Sequence, residues 1–143
     1  MTLADLITLF REEAADKAQP YLWSDATLKL YANEAQQEAC RRGPHLIDSS
    51  SSFCTIAYTA GPGLVTLDPR IINVQRVKCD LYFPQLPMLT ASEMDKRRPG
   101  WELHTGPVPL LVVSDYETGK LRIYPSPTQG SNLRLTVRRL PLQ

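Results

Sequence analysis

Residues 24–42, Ser24-Asp-Ala-Thr-Leu-Lys-Leu-Tyr-Ala-Asn-Glu-Ala-Gln-Gln-Glu-Ala-Cys-Arg-Arg42, decide the first half of the fold. Leu28, Tyr31, Ala32, Ala35 and Ala39 recur at the i, i+3, i+4, i+7 spacing of an amphipathic helix. Three of these five residues are alanine, so the seam lets another backbone approach closely but buries little area itself. Leu30 falls on the opposite side with Asn33, Glu34, Gln37 and Arg41, which makes a second, mixed contact surface. Such a helix is suited to lie between partners. Ser24 supplies the N-cap, Trp23 a hydrophobic staple, and Arg41-Arg42 suit the negative end of the dipole before Gly43-Pro44 stops the helix.

Toward the N-terminus, Thr2 and Asp5 form a capping box with Asp as a shorter stand-in for Glu. Leu3, Leu6, Ile7, Phe10 and Ala14 then share one broad face, and Asp16 to Pro20 end the helix. Two antiparallel helices joined at a tight corner are the simplest arrangement.

Toward the C-terminus the period changes to two. Strands are expected at residues 53–59, 64–67, 71–83, 110–113, 121–124 and 133–137. Gly61-Pro62-Gly63, Asp68-Pro69-Arg70 and Glu117-Thr118-Gly119 read as turns, the first of them a hairpin turn. The apolar phase of 71–83 slips between Val74 and Val77, which predicts a β-bulge near Gln75-Arg76. Residues 84–109 form a long insertion with one or two helical turns over 90–97. The fold class is therefore α+β: a helical hairpin in 1–50, then a small antiparallel β-sandwich or barrel-like domain in 51–143. The Ser49–Ser52 run reads as a flexible connector between them.

Composition fits an ordinary globular chain, with 43% hydrophobic and 22% charged residues. The net charge of +1 conceals an asymmetry: residues 1–50 carry five Lys/Arg against eight Asp/Glu, and 51–143 carry eleven against seven. Opposite charge on two halves can be satisfied within a subunit or between subunits. Asp5, Arg11, Glu12 and Glu13 interrupt any signal-peptide-like apolar core. No stretch approaches the roughly 18 apolar residues of a membrane span. Cys40, Cys54 and Cys79 are odd in number and widely spaced, which suggests neither a disulfide framework nor a zinc knuckle and favours a reducing compartment.

Catalytic constellations are scarce. His45 and His104 lack partners at metal-ligand spacing and read as solvated loop residues. The serine run lacks a nucleophile elbow, and Gly61-Pro62-Gly63 is too short to cradle a phosphate. Glu34 and Glu38, followed by Arg41 and Arg42, make an exposed salt-bridge ladder rather than an acid/base pair. Neither an enzyme nor a cofactor protein is indicated.

The basic strands carry more. Alternation turns Leu121 and Ile123 inward and Lys120, Arg122 and Tyr124 outward; likewise Arg134, Thr136 and Arg138 point out. Were these strands paired as a hairpin, four cations and a tyrosine would share one sheet face. Like charges across strands oppose each other by about 0.2–1 kcal/mol per pair, so something acidic is expected there. Nucleic acid, an acidic protein surface and a solvated face with splayed charges all remain open. With Tyr124 as the sole interleaved aromatic, base stacking is poorly served and a neighbouring subunit's acidic helices are preferred. In the insertion, Met94, Arg97, Arg98 and Trp101 are expected at a contact with a neighbour or other partner, with Trp101 pinning the loop to the sheet.

Several segments together resemble a known family. Trp23-Ser-Asp25 with Tyr31–Arg42, then Asp95, Pro99-Gly-Trp101 and Gly106-Pro-Val-Pro109, then Gly119–Pro127 and Val137–Pro141 are similar to head-to-tail adaptor proteins of tailed bacteriophages, podophage-like. Leu110 and Leu111 stand where that family carries an aromatic, a departure of local packing. The resemblance implies a virion protein at the head-tail junction, assembled in the host cytoplasm. It implies a ring, commonly of twelve copies, beneath the portal with the tail nozzle or tail-tube protein below. Genomic DNA would pass through its lumen without specific binding. Acidic or polar residues are expected to line that lumen, with the cations turned toward neighbours. Leu140–Gln143 is expected as a further docking segment.

Overall fold

The computed structural model describes residues 2–43 and 46–141. The expectations for Pro44, His45, Leu142 and Gln143 fall outside the described residues. The chain divides into two compact units, Met1–Gly43 and Pro44–Gln143. The division thus falls before the serine run, because Ile47–Asp48 already pairs with the last strand of the second unit.

The first unit is a helix pair, α1 (Leu3–Glu13) and α2 (Asp25–Arg42). The capping box on α1 forms as expected: the Thr2 hydroxyl accepts from the Asp5 N–H at 3.2 Å, and the Asp5 carboxylate from the Thr2 N–H at 2.7 Å. Its C-terminus closes with Ala15 in the left-handed region (φ 54), Asp16 N–H donating to the Arg11 carbonyl at 2.9 Å. That is the bond of a Schellman ending, made here without the usual glycine. Ser24 caps α2 through the Thr27 N–H at 3.1 Å.

The second unit holds β1 (Ile47–Asp48), β2 (Thr55–Tyr58), β3 (Leu64–Thr66), β4 (Ile71–Cys79), β5 (Tyr82–Leu86), β6 (Met88–Leu89), α3 (Ala91–Arg97), β7 (Thr105–Gly106), β8 (Leu111–Glu117), β9 (Lys120–Tyr124), β10 (Ser126–Pro127) and β11 (Ser131–Arg139). One sheet runs β1-β11-β4-β5 with β2 also on β11; a second runs β3-β9-β8-β6. Their inner faces share one core that includes Val77, Leu86, Val112, Ile123, Leu133 and Val137. The long strands pair antiparallel, whereas the short pairs β6–β8 and β7–β10 are parallel. The sheets stack as a sandwich and do not close into a barrel.

The bulge sits where the phase slips. Thr136 pairs with Arg76 and Val137 with Val74, so Gln75 is the extra residue, and Val74 and Val77 can both reach the core. A second irregularity lets Ile71, rather than Ile72, pack inward. The expected long strand 71–83 is instead a hairpin: Cys79 pairs with Tyr82, and Asp80-Leu81 turns the chain. Gly61-Pro62-Gly63 is not a hairpin turn, because β2 and β3 belong to different sheets. Gly63 is required there: a Cβ would lie 2.9 Å from Pro127 and 3.0 Å from the Ile123 carbonyl. The insertion contributes β5, β6 and β7 to the sheets and so is largely ordered secondary structure.

The serine run is no flexible connector. The buried Asp48 carboxylate accepts from the Ser50 N–H (2.8 Å), both Ser51 donors (3.1 and 2.6 Å) and Arg139 Nε. The Ser51 hydroxyl first, then the Ser50 and Ser51 amides and Arg139, hold its carboxyl far below the usual carboxylate range. Leu140 and Pro141 are likewise tied down rather than free to dock. The Leu140 N–H donates to the Arg70 carbonyl at 2.8 Å, and Pro141 is buried.

Replacing Asp48 by Ala leaves these donors unpaired and should lower unfolding free energy by about 1–3 kcal/mol at pH 7, read by urea titration. Because the folded carboxyl is depressed, its contribution is complete above the unfolded value of about 3.9 and is lost as pH falls below it. The gap between wild type and Asp48→Ala should therefore narrow in acid; a gap that widens there would refute this account.

Candidate functional site

In the first unit one side chain joins the two helices. Arg11 is buried, donates to Asp16 (2.7 Å), to the Trp23 carbonyl (3.0 Å) and to Asp25 (2.6 Å), and lies 3.7 Å over the Tyr21 ring. Asp16 also accepts the Leu22 N–H at 2.8 Å. The corner is thus built on a guanidinium at the end of α1. Its sequence signal was Arg11 on the same helix as a purely apolar seam, with Asp16 and Asp25 flanking the turn.

That joint leaves the apolar faces open. Leu28 is buried and Ala32 half-buried, but Tyr31, Ala35, Ala39 and Leu30 are exposed. Glu34 and Arg41 are exposed too, with Gln37 half-buried; Glu38 pairs with Arg42 at 2.6 Å. On α1, Leu3, Leu6, Leu9 and Phe10 are all exposed. Leu6, Ile7, Phe10, Leu28, Tyr31 and Ala32 line an apolar cleft of about 200 Å³. With α1 at 11 residues and α2 at 18, rises of about 1.5 Å per residue leave the shorter helix roughly 10 Å short of its partner. The alanine seam at Ala35 and Ala39 therefore has no cover from α1.

In the second unit the four cations do not share a face. β9 and β11 lie in different sheets, so the expected hairpin between them does not form. Lys120 pairs with Glu117 at 2.6 Å and Arg134 with Asp80 at 2.6 Å, while Arg138 stays exposed. The Arg134 guanidinium holds the Asp80 carboxyl below its ordinary value. Arg122 departs most from expectation: it is 8% exposed, with its guanidinium 4.5 Å over Tyr116 and 5.0 Å over Trp101. One Nη donates to the Glu102 carbonyl at 3.0 Å; Nε is buried with no partner among the described residues. Alternation placed Arg122 and Tyr124 opposite Leu121 and Ile123 correctly. What it missed is that the insertion covers that second face.

The covering layer is α3 and the turn after it. Thr90 and Glu93 form a capping box, and Met94 and Trp101 sink against Val113 and Tyr124. Met94 (1% exposed) and Trp101 (2%) are therefore internal and cannot themselves touch a neighbour. Trp101 Nε1 donates to Asp95 at 2.9 Å. The Tyr124 hydroxyl meets Arg98 at 3.0 Å and His104 Nδ1 at 3.0 Å. Arg97 and Arg98 remain exposed, and so does Leu103, at 86%. The expected pinning of the loop by Trp101 is what the structure shows; the surface it presents is different.

Among the described residues, no three His, Cys, Asp or Glu side chains gather to hold a metal ion, and Cys40, Cys54 and Cys79 are free and buried. No described helix is long and apolar enough to cross a membrane. Large apolar side chains stay open on both units, on α1 and α2 as a neighbouring set and on the second unit singly. The family model of the SU10 adaptor protein matches residues 1–143, and the chain belongs to that family of phage adaptor proteins, structural components of the virion. No curated protein matches the chain.

Three substitutions test the assignments. Arg11→Met removes the hub and strands Asp16, and should cost about 2–3 kcal/mol, with loss of helical signal preceding loss of the sheet in a denaturant titration. Trp101→Ala should cost about 3–5 kcal/mol by the same measure, while Leu103→Ala stays within about 0.5 kcal/mol of wild type.

Proposed function

We propose that the chain is a head-to-tail adaptor, podophage-like, whose copies assemble as a ring, commonly of twelve, beneath the portal. The tail nozzle or tail-tube protein attaches below, and genomic DNA passes through a lumen lined by acidic or polar residues. Assembly takes place in the host cytoplasm. The observation that carries this reading is the match of the SU10 adaptor protein family over residues 1–143. The open helix faces support it, since a head-to-tail contact that closes makes a ring.

Helix α2 is assigned to the contacts with sibling subunits and the portal, through Leu28, Tyr31, Ala32, Ala35 and Ala39 on one side. Leu30, Glu34, Gln37 and Arg41 form the other. The exposed Arg138 faces acidic helices of a neighbour, and the exposed Arg97 and Arg98 of the insertion meet a neighbour or the tail nozzle. Lys120 and Arg134 can join them only by exchanging partners, because each already holds a carboxylate. A nucleic-acid-binding module is disfavoured, because the single basic sheet face it needs is absent.

The test is to mix the purified chain with the portal of its phage and measure mass and symmetry by electron microscopy. A closed ring on the portal is expected. A chain that remains unattached at every ratio overturns the adaptor reading. Ala35→Trp should block the close helix approach and abolish ring formation while leaving the melting temperature unchanged. Rings of the Ala35→Trp chain would refute the α2 assignment alone.

A further inference from the structure

The basic face expected of β9 with β11 is absent, but β11 builds a different one with β4. Val77 and Cys79 on β4 and Leu133, Leu135 and Val137 on β11 are buried. Strand alternation therefore turns Arg76 and Lys78, and Arg134, Thr136 and Arg138, to the outer side of that sheet. The register sets Lys78 opposite Arg134, Arg76 opposite Thr136 and Arg138 opposite Asn73. At the spacings of a sheet the four cations fall within a patch about 14 Å long and about 5 Å wide. Arg76, Arg134 and Arg138 are exposed and Lys78 is half-buried.

Carboxylates do not balance this patch. The strands of the sheet hold one, Asp48, which is buried and engaged by the serines and Arg139. Asp80, in the turn after β4, is held by Arg134 at 2.6 Å. Arg76, Lys78 and Arg138 have no carboxylate within ion-pair distance among the described residues. Three uncompensated cations on adjacent strands repel one another, and an anionic surface laid against them relieves that repulsion.

Other side chains on the same face fit a protein better than a nucleic acid. Ile47 lies opposite Arg138 and is 59% exposed, and Ala57 is exposed on β2. Apolar side chains among arginines are the make-up of a protein interface, whereas a phosphate backbone gains nothing from them. Another copy of the chain does not supply the carboxylates. Its exposed Glu12, Glu13, Glu34 and Glu102 are interspersed along the chain with exposed Lys17, Lys29, Arg41 and Arg98, so they come as mixed charge.

We propose that the outer face of the β4–β11 sheet docks a carboxylate-rich face of a different protein, received by Arg76, Lys78 and Arg138 beside Ile47. Arg134 stays with Asp80 at the rim. This rests on the adaptor reading and makes the neighbour met by Arg138 a protein other than a sibling copy.

The test uses the whole chain, with the portal and the tail nozzle of its phage as probes. Zero-length carbodiimide coupling of the assembled complex joins Lys78 to a carboxylate it touches, and peptide mass spectrometry reads whose carboxylate that is. A link from Lys78 to an Asp or Glu of the portal or nozzle is expected. A chain carrying Arg76→Glu, Lys78→Glu and Arg138→Glu should keep its melting temperature and self-association. It should bind that protein about tenfold or more weakly. Added salt should weaken the unaltered chain in the same direction. Lys78 linked to an isotope-labelled second copy, or self-association lost in the altered chain, overturns the assignment to a different protein. Unchanged binding, the mark of a solvated face, overturns it too, and so does loss of affinity for a short DNA duplex alone. In each of those cases the unaltered chain still sits on the portal and the adaptor reading stands. An unaltered chain that binds neither protein removes that reading and this docking face with it. Should the triple exchange unfold the chain, Arg76→Gln with Arg138→Gln carries the same comparison.

Discussion

Strand β11 is the constraint on which the second unit depends. Leu133, Leu135 and Val137 are buried on its inner face, and three other strands take hydrogen bonds from its backbone. β4 occupies one edge; β1 and β2 share the other. Asp48 pairs opposite Val137 and Thr55 opposite Arg134, so only Leu135 and Thr136 separate the two strands along β11. Six residues must therefore be folded above a gap of about 10 Å. An extended link cannot do this. The Asp48 carboxylate, by gathering the serine amides and hydroxyls, and the 3₁₀ turn over Ser52–Cys54 make the detour compact. The same carboxylate reaches Arg139 and so ties the detour to the far end of β11.

The second sheet is built under a different constraint. Residues 121–127 are buried without interruption, which means β9 is covered on both faces. Leu121 and Ile123 meet the sandwich core, whereas Arg122 and Tyr124 meet the α3 layer. Burying a cation without a carboxylate costs several kcal/mol. Here the cost is offset by two aromatic faces, each worth up to about 2 kcal/mol when desolvated, and by the Glu102 carbonyl. A planar, weakly hydrated guanidinium suits such a slot because it stacks on the aromatic faces; a compact, strongly hydrated ammonium would lose more hydration there and could not stack.

Much of this was legible in the sequence, and the failures have one cause. Capping residues Thr2 and Ser24 act over three positions, and the β4 bulge is written in the phase of Val74 and Val77; both are local signals. Strand alternation on β9 and β11 was read with the right parity. Nothing local says which strand lies beside which, so a β9–β11 hairpin looked as reasonable as the observed sheets. The same gap hid the lid over Arg122. Its signature was present in Trp101 and Tyr116, two aromatics that come to lie over one arginine. Arg11 was hidden for a related reason: a guanidinium at the edge of an apolar seam reads as solvated until its partners, Asp16 and Asp25, are known to converge.

The two units differ in self-sufficiency, and this bears on how an adaptor works. The β unit has a closed core, its polar links satisfied by Asp48, Asp80 and Asp68, the last held down to about 2 by Arg70. The helix pair has little more than Leu28 and the Arg11 hub inside, and at this size a helical pair buries too small a fraction of its surface to be robust alone. In the proposed adaptor its stability is completed from outside, by whatever covers Leu6, Phe10, Tyr31 and the alanine seam. A protein that joins assemblies gains from that division. Under the proposed function, the rigid unit would fix the geometry of the junction and the incomplete one would reach full stability only once its partners are present, which would make assembly itself the final step of folding.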